Sequence, residues 1–135
     1  MSVIPVEPFL MSDCVLKVAA DDFAAHCSKV ELVPSSSVVN WGGLKSSAQF
    51  SFPTKAKWAC GIDYAQDWTT DGSLSRYLHD HEGESVDAEF VPKNGGPSVL
   101  ATLIITPGSI GGALDGVATA SVSLGVSGKP EFVDA

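Results

Sequence analysis

The run His79-Asp80-His81-Glu82-Gly83-Glu84 holds the residue types best suited to chemistry in this 135-residue chain. Two imidazoles and a carboxylate are donors that a transition metal accepts. The spacing argues against that use. A double-histidine metal site on strands needs a longer gap to its glutamate and a second motif carrying another histidine. The remaining histidine, His26, lies far upstream. The run also falls at the end of a helical pattern, where side chains two apart do not face each other. Histidine at a helix C-terminus is favoured by the helix dipole without any metal. No metal site is expected.

Other chemistry is no better supplied. There is no G-x-S-x-G elbow for a nucleophilic serine. The glycine segments Asn94–Pro97 and Pro107–Gly112 match neither a P-loop nor a dinucleotide fingerprint and read as turns. Taken as a carboxylate pair, Asp63 and Asp67 have nothing beside them in the sequence that suggests a substrate pocket. Trp41, Trp58 and Trp68 are enough aromatics for a sugar-stacking platform, but packing in a core or an interface accounts for them more simply. Cys14, Cys27 and Cys60 are odd in number and form no C-x-x-C pair, so free thiols are expected. The reading is a non-enzyme with no catalytic residue and no cofactor.

Composition bounds what remains. Apolar residues make up 44% of the chain and charged residues only 18%, a balance that suits a subunit burying surface in an assembly. The net charge is −8, and the acids crowd between Asp63 and Glu89, relieved only by Arg76. Such a surface has no grip on phosphates. It is either a device for solubility or a wall that nucleic acid passes without sticking. No apolar run approaches the roughly 20 residues that cross a bilayer. The start, Met1–Asp13, lacks the basic and apolar regions of a signal peptide, so use without export through a membrane is expected.

The elements that must position these residues read as mostly β, in one domain over 1–135. Residues 1–11, with Pro5 and Pro8, read as an extended arm. Cys14–Ala19 is β-like, and the stretch from Ala19 to Ser28 is a bent loop or a helical turn. Lys29–Val33 alternates as a half-buried strand. Residues 34–53 are rich in Ser and Gly yet carry Trp41, Leu44, Phe50 and Phe52. A loop this long is usually functional or disordered, and its aromatics suit docking on a partner, the alternative being a local hairpin. Lys57–Tyr64 places Trp58, Cys60, Ile62 and Tyr64 on one face. Ser85–Val91 places Val86, Ala88 and Phe90 inward and Asp87 and Glu89 outward. Ser98–Thr106 reads as buried on most of both faces, and Ala118–Val126 as a strand with one wet face. Ser73 caps a short helix over about 73–81, with Leu74, Tyr77 and Leu78 as its apolar stripe and Gly83 as its stop. A helix of two turns must lie on a sheet. The fold class is therefore an antiparallel β-sandwich or barrel with one short α-helix.

That order of elements, dense from Trp58 to Val126-Ser127-Gly128-Lys129-Pro130, resembles the major tail tube proteins of long-tailed, siphovirus-type bacteriophages, in particular those of actinobacteria. The resemblance implies a structural virion protein made in the host cytoplasm. It implies self-association into hexameric rings whose strands join in a barrel around a channel, with the rings stacked as a tube. Tape-measure and tail terminator proteins would be its further partners, and genomic DNA would pass through without specific binding, with no membrane involved. The 34–53 loop would reach an adjacent subunit through Trp41, Leu44, Phe50 and Phe52. Glu31, Asp87 and Glu89 alternate away from the core faces of their strands and are the candidate channel-lining acids; a plain solvent face accounts for the same residues. Three other readings stay open. They are a head decoration or head–tail completion protein, a sugar-binding β-sandwich module, and a cupin-like enzyme.

Overall fold

Strands with one apolar face must bury it, and here they do so by curling one sheet around a shared core. The computed structural model describes residues 2–134. The order is β1 (Val15–Val18), β2 (Asp21–Asp22), a 3-10 turn (Ala24–His26), β3 (Cys27–Ser35), β4 (Val38–Gly42), β5 (Gln49–Pro53), β6 (Lys57–Ala65), α1 (Leu74–Asp80), β7 (Ser85–Val91), β8 (Ser98–Ile104) and β9 (Thr119–Val133). Seven strands form one sheet in the order β2-β1-β7-β8-β9-β6-β3, antiparallel at every pairing. The mostly β architecture with one short helix is thus as expected, with the core strands in one hydrogen-bonded sheet and β4 and β5 paired apart from it. Leu16 of β1 and Val30 and Leu32 of β3 line one cavity of about 10 Å³ with Cys60, Ala88 and Leu103. Strands from the two margins of the sheet therefore meet across the core, and the sheet is a barrel left open along one seam.

The period-two alternation of β6 is realised. Cys60, Ile62 and Tyr64 are buried, and Trp58 is half-buried on the same face. In β7, Val86, Ala88 and Phe90 turn toward the core and Asp87 is exposed. Helix α1 plugs the core with Leu74 and Leu78. Ser73 caps it by accepting a hydrogen bond from the Arg76 amide, and Gly83 follows at φ +85°, a conformation glycine adopts without penalty. Truncation of buried leucines of this kind costs about 2–5 kcal/mol.

The loop leading into α1 is organised by Asp67. Its carboxylate accepts from the amides of Thr69 and Thr70 at 3.1 and 3.0 Å and from the Thr69 hydroxyl at 3.3 Å. Hydrogen bonds from Thr70 and then Thr69 lower its pKa to about 2. A carboxylate depressed in the folded state stabilises the fold above its unfolded pKa, and that contribution is lost as pH falls through the folded value. Asp67→Ala is therefore expected to lower the urea midpoint at pH 7, with the difference from the parent closing as pH falls from about 4 toward 2. Urea titrations at the two ends of that window check it.

Three expectations are corrected. β8 is not buried on both faces: Leu100 and Ile104 are 40% and 39% exposed, because the curled sheet covers only its concave side. β9 does not end at Val126 but runs to Val133. A register shift between Leu100 and Thr102 and the left-handed Gly128, at φ +82°, absorb the irregularity, and Pro130 is tolerated at such a bulge because no ladder bond is required of it. Residues 34–53 are not an irregular loop. β3 extends to Ser35, and β4 and β5 pair from Val38↔Pro53 to Gly42↔Gln49 as a two-stranded sheet of their own.

That hairpin prolongs the β3–β6 ribbon. Beyond the Ser35↔Lys57 pair, the Thr54 amide donates to the Ser37 carbonyl at 2.9 Å, and the Ser37 amide donates to Thr54 Oγ1 at 3.0 Å. At the usual rise per residue, the arm spans roughly 25 Å from that pair to its tip. The strands run between two poles. The arm, the 92–97 turn and the end of β9 lie at one, and the 66–84 segment with α1 and the 105–118 loop lie at the other.

Candidate functional site

An antiparallel ribbon sorts its side chains by parity, and the arm shows the result in the open. Val39↔Phe52 and Trp41↔Phe50 are directly opposed, so these four apolar side chains share one face. The Trp41 and Phe50 rings lie 5.9 Å apart. Every residue of β4 and β5 is exposed, Trp41 by 60%, and Leu44 stands fully exposed at the tip. The four candidate docking residues are thus brought onto one arm, three of them on a single face together with Val39. The opposite face carries Asn40 and Ser51, linked by a hydrogen bond of 2.7 Å. A one-sided aromatic stripe left in water is the surface that association would bury.

The candidate channel acids also fall together. Glu31, Asp87 and Glu89 all lie on the convex face of the seven-stranded sheet, away from the core. They do not stand alone there. Glu31 is paired with Lys29 at 3.1 Å, which raises the pKa of that lysine through the hydrogen bond and the carboxylate charge. Asp87 accepts from Thr102 Oγ1 at 3.2 Å. Glu89 is directly opposite Lys17, and Asp63 directly opposite Lys29. Alternation along β3 already sets Lys29 on the face of Glu31, but sequence reasoning missed Lys17, because only the register of β1 on β7 shows it.

Side chains of the histidine run are engaged separately. His79 meets the edge of Trp68 with ring centroids 6.4 Å apart, while His81 stacks on Tyr77 at 4.2 Å. Nδ1 of His81 lies 3.0 Å from the Tyr77 carbonyl. Among the described residues, no three histidine, cysteine or acidic side chains converge as a metal group. Burial pushes the Cys27 thiol up to about 12 and Cys60 to about 11, away from reactive thiolate. A chelator at millimolar concentration is expected to leave the melting temperature unchanged, which differential scanning calorimetry checks.

One organising residue gave no sequence signal. The Gln66 side chain donates to the Gly111 carbonyl at 2.8 Å and the Thr119 carbonyl at 2.9 Å, and accepts from the Gly111 amide at 2.9 Å. Trp68 Nε1 donates to its oxygen at 3.1 Å. This clamp straps the 105–118 loop across the helix end of the barrel, with Ile110, Leu114 and Val117 exposed on it. A glutamine mimicking a strand edge needs a partner 45 residues away, which local pattern cannot supply.

No protein-family model and no curated protein matches the chain. Solved structures do. The chain is similar to one in the virion of a native gene transfer agent particle, at 16% identity over 90% of this chain and 95% of that one, with a TM-score of 0.64. It is equally similar to a chain in the tail of an empty gene transfer agent particle refined with C6 symmetry, at 16% identity over 90% and 96% of the two chains and the same TM-score of 0.64. What the chain shares with these particle and tail chains, across nearly its whole length, is the fold.

Proposed function

We propose that this chain is a structural, non-catalytic tail-tube subunit that assembles in a virion into stacked hexameric rings and encloses a conduit for genomic DNA. The observation that carries the reading is the arm: a projecting ribbon with one uncovered aromatic face, on a fold shared with a chain from a C6-symmetric tail. An exposed stripe of this kind is costly in a free monomer and is relieved by a neighbouring copy. The open seam of the sheet, with β2 and β3 at its margins, leaves unpaired edges of the sort that ring closure removes. Glu31, Asp87 and Glu89 are proposed to face the channel, where carboxylates interleaved with paired lysines keep a nucleic-acid backbone from adhering. Trp41, Leu44, Phe50 and Phe52 are proposed to contact the adjacent subunit.

Electron microscopy of the concentrated protein tests this directly. Hollow tubes with sixfold end views are the expected result. Particles that decorate capsids or close as trimers would assign the chain to a head protein, and a monomer that retains glycans on a column would assign it to the sugar-binding class. A chain that stays monomeric at every concentration overturns the tube reading.

A further inference from the structure

The two ends of the barrel are closed differently. Helix α1 fills one with Leu74 and Leu78. At the other, the strand ends frame a groove of about 730 Å³. Trp58, Phe90 and Phe132 give it three aromatic rings, and Pro92, Pro97 and Pro130 give it rigid apolar edges. Lys93 and Lys129, both exposed, border it. The N-terminal segment passes along this groove. Glu7 and Phe9 line it, and Met11 lines the adjoining cavity between β1 and β3, which shares Phe90. Alternate residues thus face the barrel, as an extended chain requires. Phe9 and Met11 are 51% and 50% exposed, against 86% for Val6 and Leu10. Among the described residues, no hydrogen bond ties residues 2–13 to the barrel. Side chains alone hold the segment, while Pro5 and Pro8 favour the extended form whose backbone needs no protein partner.

We propose that this groove is a peptide-recognition site whose occupant is the chain's own Glu7-Pro8-Phe9, tethered there and exchangeable for the same sequence supplied in trans. Proline-bearing extended segments dock on aromatic-lined grooves because their backbone is already ordered, so that the side chains reaching the groove decide what binds. Phe9 is the apolar anchor. Glu7 is the one carboxylate among the residues lining the groove, against two lysines. On a chain of net charge −8, a border of two lysines favours an acidic segment and fixes its direction. A segment attached this closely reaches an effective concentration in the millimolar range, enough to compete about tenfold with a free peptide that binds at about 0.1 mM. The inference concerns the groove alone and stands whether or not copies form a tube.

A labelled synthetic peptide of residues 3–11 tests it, with fluorescence anisotropy as the readout on the full-length protein. The peptide is expected to bind the Phe9→Ser protein saturably, one to one, and about tenfold more tightly than it binds the parent, whose groove is already filled. A peptide carrying Phe9→Ser should not bind. The Phe132→Ser protein should lose the peptide while keeping the parent's melting temperature, since Phe132 is 75% exposed. Charge gives a second check that does not depend on that variant. With Lys93→Glu and Lys129→Glu in the Phe9→Ser background, a peptide carrying Glu7→Lys should bind more tightly than the parent peptide. Lys45→Glu with Lys55→Glu, exposed residues of the arm with the same change in net charge, should leave the original preference in place. No saturable binding to the Phe9→Ser protein overturns the proposal, as does equal binding to that protein and the parent, or a preference that follows net charge wherever the lysines are replaced.

Discussion

Replacing Trp41 and Phe50 together by serine is expected to abolish assembly and leave the monomer folded. The two rings oppose each other across β4 and β5, on an arm whose strand residues are all exposed and contribute nothing to the barrel core. Substitutions of exposed side chains away from core, caps and buried polar groups usually move stability by no more than about 0.5 kcal/mol. The same side chains have the character of binding hot spots, where loss of one aromatic anchor costs about 2 kcal/mol or more. Two such losses amount to roughly a thousandfold in affinity at each contact. Sedimentation velocity should show a monomer where the parent polymerises, and the melting temperatures should agree. Undiminished assembly by the double variant would remove the arm from the interface.

The second large effect comes from repetition. Asp87→Lys with Glu89→Lys is expected to leave assembly intact and to slow the passage of DNA severely at low salt. Both residues lie on the convex face, away from the arm. Lysine at position 89 opposes Lys17 directly, a like-charge pairing that costs each subunit only about 0.2–1 kcal/mol. A single lysine near a phosphate in salt water contributes on the order of 1 kcal/mol or less. If these positions face the channel, every subunit of every ring adds its contribution, and counterion release makes the total steeply salt-dependent. Timing DNA release from particles built with variant tubes, across a range of salt, checks this. Release at the parent rate in low salt would mean that this face does not line the conduit.

Much of the fold was legible in sequence where a physical rule acts locally. Parity along a strand separates core from surface, so the inward set Cys60, Ile62, Tyr64 and the outward acids Asp87 and Glu89 were readable. A serine cap, one apolar stripe and a following glycine were enough to place α1. The misreadings came where the deciding partner is distant. The apolar run of β8 looks the same whether one face or both are covered, and only the curl of the sheet leaves Leu100 and Ile104 in view. Gly128 and Pro130 look like a terminus until β8 supplies a ladder that tolerates a bulge. In the arm, Ser and Gly content masked the alternation of Val39 and Trp41 with Phe50 and Phe52. That parity was present in the sequence and points to a ribbon. Lys29 shares the face of Glu31 by parity along one strand, but Lys17 needed the register of β1 on β7.

The 15-residue β9 has a mechanical consequence. It bonds to β6 along its first half and to β8 along its second, and it runs from the helix pole to the arm pole without a break in the chain. Antiparallel hydrogen bonds lie perpendicular to the strands they join. A pull applied from pole to pole therefore loads the ladders of β9 in shear, many bonds at once, whereas a sideways pull would peel them one after another. If copies are joined through their poles, tension along a filament is borne by each subunit in its strongest direction, and the hinge at residues 36–37 and 54–56, where the ribbon leaves the barrel, is the place where a stretched filament should yield first.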